Sequence, residues 1–254
     1  MVSEKNTSKI LSGVEREGLV LPTKTLFENE FIGGCKLKNS KLSDPIFDQC
    51  DLEDCEFEKT DFSGSRFFNK TTLIKCTFKN VDFQTSGLNE SEFESCTFTK
   101  CNFRETSLKD CRLSNCTFIQ CKIIDNSFDA KKIANIKFTG KLQEIYFISD
   151  QPNTPLLVDF ELCKLEYVTF QNCNLENIIP PADPQHIFFK DVSARAQKAL
   201  ALLSSEPDNQ VNKILKRRLQ KLTAQRGAVF NIESLEDYEG LEFTTRFISL
   251  LQGS

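Results

Sequence analysis

Large apolar residues recur at every fifth position through much of this chain. The series begins at Phe27, admits one extra residue near 69–72, and runs to Phe138 without a polar member; it returns at Phe160 and ends at Leu175. A five-residue period fits neither an α-helix nor a long strand, and it predicts a short strand plus a sharp corner, repeated many times. The continuous part comprises Phe27, Ile32, Leu37, Leu42, Phe47, Leu52, Phe57, Phe62, Phe67, Leu73, Phe78, Phe83, Leu88, Phe93, Phe98, Phe103, Leu108, Leu113, Phe118, Ile123, Phe128, Ile133 and Phe138.

A small or β-branched residue usually lies two positions before each large one. Residues two apart in an extended strand point to the same face. We therefore expect the small residue and the large residue (the centre) to face inward, while the residue between them faces outward and the other two form a turn. All eleven cysteines occupy the small position: Cys35, Cys50, Cys55, Cys76, Cys96, Cys101, Cys111, Cys116, Cys121, Cys163 and Cys173.

A longer period of twenty is superimposed on the period of five. The triplet Cys-Thr-Phe occurs at residues 76–78, 96–98 and 116–118. Four short strands closing into a square coil use twenty residues, and successive coils would stack at the parallel-strand spacing of about 4.8 Å. Most of the 23 phenylalanines are centres, so rings stacked inside a narrow prism account for the phenylalanine-rich composition.

The repeat resembles the pentapeptide-repeat proteins. Segments such as Cys-Asp-Leu-Glu-Asp at 50–54 and Cys-Asn-Phe-Arg-Glu at 101–105 are similar to that family's motif. The resemblance covers 27–138 and, after a break, 158–177. It implies a right-handed quadrilateral parallel β-helix, here a mainly β fold with a C-terminal α-helical module. Some members of the family protect DNA gyrase from quinolones and toxins, apparently by presenting an acidic rod the size of a DNA duplex.

Three regions are predicted along the chain. Residues 1–24 form an N-terminal cap, residues 25–177 form the β-helix with an interruption at about 139–157, and residues 178–254 form a helical module. Ile10, Leu11 and Val14 suit one helical face after a cap at Ser3. Beyond Pro184 the apolar residues follow a helical period.

Composition narrows the functional classes. The formal net charge is −4, which argues against general nucleic-acid affinity. No apolar run is long enough to span a membrane and no signal peptide is evident, so we expect a soluble, cytoplasmic protein. No cysteine pair has the Cys-x-x-Cys spacing of zinc or redox sites. The cysteines are therefore interpreted as packed thiols in a reducing compartment, and no cofactor is expected.

Catalytic motifs are not recognised in the sequence. The single histidine, His186, lies outside the repeat and has no neighbouring nucleophile pattern. A prism filled with phenylalanine and leucine offers no pocket, so an enzyme is not expected.

Three surface regions are candidates for partner binding. The first is an acidic stretch that consists of Asp44, Asp48, Asp51, Glu53, Asp54, Glu56, Glu58 and Asp61. Neutralisation of these acids by basic residues of adjacent coils is the alternative explanation for this stretch. The second is a loop within the interruption, containing Asp150, Gln151 and Asn153. The third is the basic side of an amphipathic helix, with Lys213, Lys216, Arg217 and Lys221.

The basic helix has two further interpretations. Five acids just downstream, at 233–242, can neutralise it within the chain, which makes direct nucleic-acid binding unfavoured. The apolar faces of the helical module can instead form a homodimer interface.

The leading hypothesis is a non-catalytic protein-binding or scaffold protein whose partner the sequence does not name. The alternative is a DNA mimic that binds and protects DNA gyrase or topoisomerase.

Overall fold

The computed structural model describes residues 8–108 and 110–253, and the predicted cap residue Ser3 lies outside these ranges. It is a parallel β-solenoid of about eight turns followed by a region of four helices. The strands are β1 Glu15–Glu17, β2 Leu26–Glu28, β3 Phe31–Gly33, β4 Lys36–Lys38, β5 Ile46–Asp48, β6 Asp51–Glu53, β7 Glu56–Glu58, β8 Arg66–Phe68, β9 Thr72–Ile74, β10 Thr77–Lys79, β11 Glu92–Glu94, β12 Thr97–Thr99, β13 Arg112–Ser114, β14 Thr117–Ile119, β15 Ile123–Asp129, β16 Ile133–Ala134, β17 Ile136–Ile148, β18 Thr154–Pro155, β19 Val158–Glu166, β20 Thr169–Gln171, β21 Cys173–Asn174, β22 His186–Phe189 and β23 Ala228–Asn231. The helices are α1 Ser8–Leu11, α2 Val192–Ser204, α3 Gln210–Leu222, α4 Ile232–Glu239 and α5 Leu241–Gln252. The predicted fold class is confirmed.

The four faces of the coil are numbered in the order in which the chain visits them. Face 1 contains β1, β4, β7, β10, β12, β14 and the start of β17, and face 3 contains β2, β5 and β8. Face 4 contains β3, β6, β9, β11, β13 and β16. Face 2 is joined by isolated parallel bridges, such as Asp61 to Asp82 and Asp82 to Asn102. On face 1 the Cys-Thr-Phe triplets pair in register, with Phe78 opposite Phe98 and Phe98 opposite Phe118.

Stacked rings fill the interior of the rod. The ring centroids of Phe78 and Phe98 are 4.9 Å apart, and those of Phe98 and Phe118 are 4.7 Å apart, with nearly parallel planes. Phe103 on face 2 meets Phe98 edge to face at 5.4 Å. Offset-stacked and edge-to-face arrangements are the favourable geometries for aromatic pairs. Each coil therefore repeats the spacing that suits its rings.

The residues at the inward small position leave room for the neighbouring centre, and many of them also donate a hydrogen bond. The thiol of Cys96 donates to the carbonyl of Leu73 at 3.2 Å, and the hydroxyl of Thr106 donates to the carbonyl of Phe83 at 2.7 Å. In both pairs the acceptor is the backbone of a centre in the preceding coil. A buried carbonyl without a donor is costly. This role, which the sequence pattern alone does not show, explains why Cys, Ser and Thr alternate at one position.

The corners adopt left-handed backbone conformations. The residue two positions after a centre usually has a positive φ, for example 53° at Asn80, 57° at Thr85 and 53° at Lys100. Only glycine, and to a lesser degree asparagine and aspartate, adopts this region at low cost. The corners are thus the most strained points of an otherwise regular coil.

The stretch 139–157, predicted as an interruption, contributes a further coil. Leu142 lies between Ile123 and Leu165 in register, and Phe147 lies between Phe128 and Phe170. The pentad pattern lapses because Leu142 follows Phe138 after four residues and the next buried apolar residue after Phe147 is Leu156. Shorter and longer corners absorb these differences, so the strands stay paired.

The first coil also begins before the predicted start of the repeat. β1 pairs in parallel with β4, and Val20 bridges to Lys41. Arg16 occupies the register of a centre, opposite Leu37. Residues 15–20 therefore belong to the rod, while the described part of the preceding helix is only one turn, α1.

The C-terminal module covers the last coils of the rod. β22 and β23 form an antiparallel pair whose Val229 packs into the core of the rod. Gly227 permits this close approach, since a Cβ there would lie 3.1 Å from the Cβ of Leu175. The four helices surround a second core, separate from that of the rod.

Candidate functional surfaces

The acidic stretch encircles one coil of the rod. Asp61 lies on face 2, Asp48 on face 3 and Asp51 on face 4, while Glu56 and Glu58 lie on face 1. Asp44 and Asp54 have the left-handed conformation of corner residues. The acids therefore do not form a stripe along one face, which is what a continuous duplex-like surface would require.

Ion pairs neutralise the acids on face 1. The Lys36 ammonium lies 2.8 Å from the carboxylate of Glu56, and Lys79 lies 3.4 Å from Glu58. Exposed pairs of this kind contribute little stability, but they reduce the net charge of the face. Within the described ranges, the other six acids have no cationic nitrogen within 4 Å: Asp44, Asp48, Asp51, Glu53, Asp54 and Asp61.

The predicted loop is a short exposed corner between β17 and β18. The hydroxyls of Ser149 and Thr154 hydrogen bond across its base at 2.6 Å. Asp150 pairs with Lys131, whose ammonium lowers the pKa of this carboxyl below its ordinary value. Gln151 and Asn153 are exposed. Because the corner closes on itself, these side chains lie near the rod surface.

The basic helix is α3, and its N-terminus is capped by Asn209, which accepts from the backbone of Asn212. Lys213 and Lys216 approach Asp208 at 3.6 and 3.5 Å. Of the downstream acids, Glu239 pairs with Arg218, whereas Glu233 pairs with Lys164 of the rod. Arg217 and Lys221 have no acidic partner within 4 Å in the described part of the chain.

The apolar stripes of the module are buried within the chain. Those of α2, α3 and α5 form one cluster, which includes Ala199, Leu219 and Phe247. A homodimer through these stripes would require the module to open.

All eleven cysteines are buried free thiols. Burial raises the pKa of Cys111 and of Cys163 to about 12. Contact with the Cys116 thiol, together with burial, also raises the pKa of Cys96. Reactivity and metal binding require the thiolate, so Cys96, Cys111 and Cys163 are held in their unreactive form. The described residues contain no cluster of three or more metal-ligating side chains.

Comparison with known proteins agrees with this geometry. A family model for pentapeptide repeats matches residues 35–69 and 86–123 with eight copies. The solved structure of QnrB1, a plasmid-mediated fluoroquinolone resistance protein, is 15% identical over 65% of this chain and 84% of its own, with a TM-score of 0.52. The rod therefore has the fold of the pentapeptide-repeat β-helices. A search of curated proteins finds no match for the chain.

Two other solved structures are more distant. The pentapeptide-repeat protein Rfr23 from the cyanobacterium Cyanothece 51142 is 18% identical, with 39% of this chain and 84% of that chain covered and a TM-score of 0.34. HetL from Nostoc sp. strain PCC 7120, a pentapeptide-repeat protein involved in heterocyst differentiation regulation, is 11% identical, with 65% and 90% covered and a TM-score of 0.31.

The interior of the rod is filled, so only its outer faces are open to contact with other molecules. The side chains of Phe62, Phe83 and Phe103 along face 2 are almost fully buried and stack on one another. An open groove on face 3 is lined in part by Asp44, Arg66 and Asn89. No helix in the described ranges is long and apolar enough to cross a membrane.

His186 lies where the pentapeptide rod meets the module. Its side chain is 1% exposed, and its Nε2 atom accepts from the backbone N–H of Leu165 at 2.9 Å. The Asn231 side chain is 3.1 Å from the same nitrogen. This histidine joins β19, β22 and β23 structurally.

Proposed function

We propose that this protein is a non-catalytic protein-binding scaffold. The observation that carries the proposal is the filled interior, because a substrate cannot enter a prism whose centres stack at ring-to-ring distances such as 4.9 Å. Pentapeptide-repeat proteins are in general structural or binding proteins. In-register pairing also holds the outward side chains in fixed rows, which suits a rigid recognition surface.

The partner surface that the charge distribution favours comprises acids without a cationic partner that extend from face 3 across face 4 to its corner with face 1. We define this acidic patch as Asp48, Asp51, Glu53 and Asp54. Asp48 accepts from Asn69 at 2.8 Å and Asp51 accepts from Thr72. These contacts orient the carboxylates without neutralising them. A partner with a cationic surface is therefore the chemical class that the patch fits.

Affinity capture with matched variants tests this proposal. The patch variant is D48N/D51N/E53Q/D54N, and the control is E56Q/E58Q, which removes acids that already have cationic partners. Wild type and control should capture the same protein from extracts of the native host, and the patch variant should lose it. Equal capture by all three proteins, or no specific capture by any, would exclude the patch as the partner surface.

The gyrase-protecting alternative rests on the family resemblance. The acids encircle one coil and are partly neutralised, so they provide weak support for duplex mimicry. A gyrase supercoiling assay with and without a quinolone distinguishes the two proposals. The scaffold proposal predicts no change in supercoiling or in quinolone inhibition, whereas protection of gyrase by the rod would establish the alternative.

The buried thiols support placement in a reducing compartment such as the cytoplasm, because proteins of this size in oxidising compartments commonly form disulfides. Fractionation of the native host with an antibody against the chain tests this placement.

A further inference from the structure

The junction between rod and module contains a histidine that functions only as a hydrogen-bond acceptor. The Nε2 atom of His186 faces two donors, the backbone N–H of Leu165 at 2.9 Å and the side-chain amide of Asn231 at 3.1 Å. It is the only histidine in the chain. Nε2 must therefore carry no proton, and the proton of the neutral ring must be on Nδ1.

Neither donor can reverse its role without disrupting the structure. The N–H of Leu165 is backbone and can only donate. The Asn231 amide could in principle turn its oxygen toward the ring, but that oxygen accepts from the backbone N–H of Ser234 at 2.9 Å and caps α4. Loss of such a cap leaves a backbone N–H of the first helical turn without a partner and destabilises the helix. If Nε2 were protonated, three hydrogen-bond donors (Nε2–H, the Leu165 N–H and the Asn231 amide) would face one another in a buried site without an acceptor.

We propose that His186 is a pH-sensitive latch that holds the C-terminal module on the end of the rod. In the neutral form it joins β19 of the rod to β22 and β23 of the module. In the charged form Nε2 no longer accepts, the Leu165 N–H loses its partner, and the module is released from the last coils. The device is independent of which protein partner the rod binds.

The charged groups around the ring do not reverse this preference. Asp183 approaches Nδ1 at 3.6 Å, beyond hydrogen-bond distance, and its carboxylate is 40% exposed and also accepts from the backbone of Gln185. On the rod side, Lys164 is held by Glu166 and by Glu233 of the module, at 3.5 and 2.6 Å. These groups largely neutralise one another. In the charged form of the ring, attraction to the solvent-screened Asp183 carboxylate is therefore opposed by the cost of leaving the Leu165 N–H and the Asn231 amide without an acceptor.

Release of the latch would expose a defined apolar contact. Val229 of β23 packs into the core of the rod, and Gly227 lies against Leu175. Opening the module uncovers these groups while leaving the stacked rings of the earlier coils in place. We therefore expect local opening at the C-terminal end rather than global unfolding.

Nuclear magnetic resonance tests the tautomer directly, because the chain has a single imidazole. At about pH 7.5 the ring nitrogens should show a protonated Nδ1 and an unprotonated Nε2. A protonated Nε2 at this pH would contradict the latch.

Hydrogen exchange of the full chain tests the release. Between about pH 7.5 and pH 5, protection of the Leu165 amide and of β23 should fall about tenfold after correction for intrinsic rates. Protection in β10 and β12 should not change. Unchanged or increased protection at the junction would overturn the proposal.

Two variants separate the latch from other titrating groups. His186→Gln retains an acceptor that does not titrate, so its junction should stay protected across the same range. His186→Phe removes the acceptor and should leave the junction weakly protected at every pH. If His186→Gln shows the same pH dependence as the wild type, the histidine is not the switch. The wild-type titration and the glutamine variant suffice if the phenylalanine variant fails to fold.

Discussion

At the scale of single residues, the inward small position has two requirements that must be met together. Its side chain must leave room for the neighbouring centre, and in many coils it must also donate to a centre carbonyl. Cys55 donates to Ile32, Cys101 donates to Phe78, and Ser86 donates to Phe62. Sequence periodicity identified the first requirement. The second depends on which centre carbonyls lie within reach of the small side chain of the next coil, and only the three-dimensional arrangement reveals them.

Replacing Thr106 by valine separates size from hydrogen bonding. Valine has nearly the same shape but cannot donate to the Phe83 carbonyl, which Thr106 approaches at 2.7 Å. The carbonyl keeps the backbone N–H of Ser86 as a donor at 3.0 Å, so we expect Thr106→Val to lower the free energy of unfolding by about 0.5–1.5 kcal/mol, the net contribution of one hydrogen bond. Urea denaturation measures the change, and a neutral or more stable variant would show that the donor is dispensable.

Thr85 is a β-branched residue in a left-handed corner, with φ of 57°. Asparagine tolerates this conformation better than threonine. We expect Thr85→Asn to raise the free energy of unfolding by about 0.5–1 kcal/mol. Thr77→Asn is the matched control, since Thr77 lies in extended strand β10 where asparagine is disfavoured. Destabilisation by both substitutions would show that the corner is not strained.

The buried thiols should make the protein less stable at alkaline pH. In the unfolded chain the Cys111 and Cys163 thiols ionise near the ordinary value of 9.0, while burial raises each folded pKa to about 12. Unfolding therefore releases protons above pH 9. The stabilisation is complete below that pH and is lost as the pH rises toward 12.

Urea denaturation from pH 8 to pH 11, in the presence of a reductant, measures this dependence. The variant C111A/C163A is expected to lose stability less steeply with rising pH than the wild type. Parallel slopes for the two proteins would assign the alkaline dependence to other groups.

At the scale of elements, the stacked aromatic column on face 1 packs the interior of several successive coils. Phe98 lies between Phe78 and Phe118 and meets Phe103 edge to face. We expect Phe98→Ala to lower the free energy of unfolding by about 3–5 kcal/mol, because it leaves a cavity among fully packed rings.

Phe31→Ala is the matched control for this substitution. Phe31 points outward from β3 and is 57% exposed. Its loss should change stability by about 0.5 kcal/mol or less. Equal effects of the two substitutions in thermal or urea denaturation would contradict the assignment of Phe98 to a packed interior.

The regular elements could be predicted from sequence to the extent that their spacing is regular. The pentads from Phe27 to Phe138 placed their centres in the core, because five residues per side leave one register for the inward face. The coil containing Leu142 and Phe147 was not predicted, since its corners differ in length. The β22–β23 pair was also not predicted: its strands lie far apart in sequence, and each has only four residues.

The candidate surfaces were less accessible to sequence reasoning. The acids at 44–61 are contiguous in the chain, but a square coil distributes them around the rod. His186 appeared chemically isolated in the sequence. Its partners Leu165 and Asn231 come close only because the module folds back over the last coils.

At the scale of the whole molecule, the rod has two differently protected ends. The first coil has β1 at its edge, where Glu15, Arg16 and Glu17 place charges, and Arg16 occupies a register that is apolar in later coils. Charged residues at a sheet edge oppose pairing with another chain. The other end is covered by the module. Together these features oppose end-to-end pairing of one rod with another.

The central claim is that one position of the pentad points inward along the whole rod. All eleven cysteines occupy this position and are buried. A shift of one residue in register would bring them to the surface. Their accessibility to a water-soluble disulfide reagent therefore reports on the architecture as a whole.

The decisive measurement is thiol reactivity of the native and the denatured protein. In native buffer none of the eleven thiols should react at the rate of an exposed cysteine, and after denaturation without reductant all eleven should react. Rapid reaction of several thiols in the native state, or fewer than eleven after denaturation, would contradict the inward column of free thiols on which the account rests.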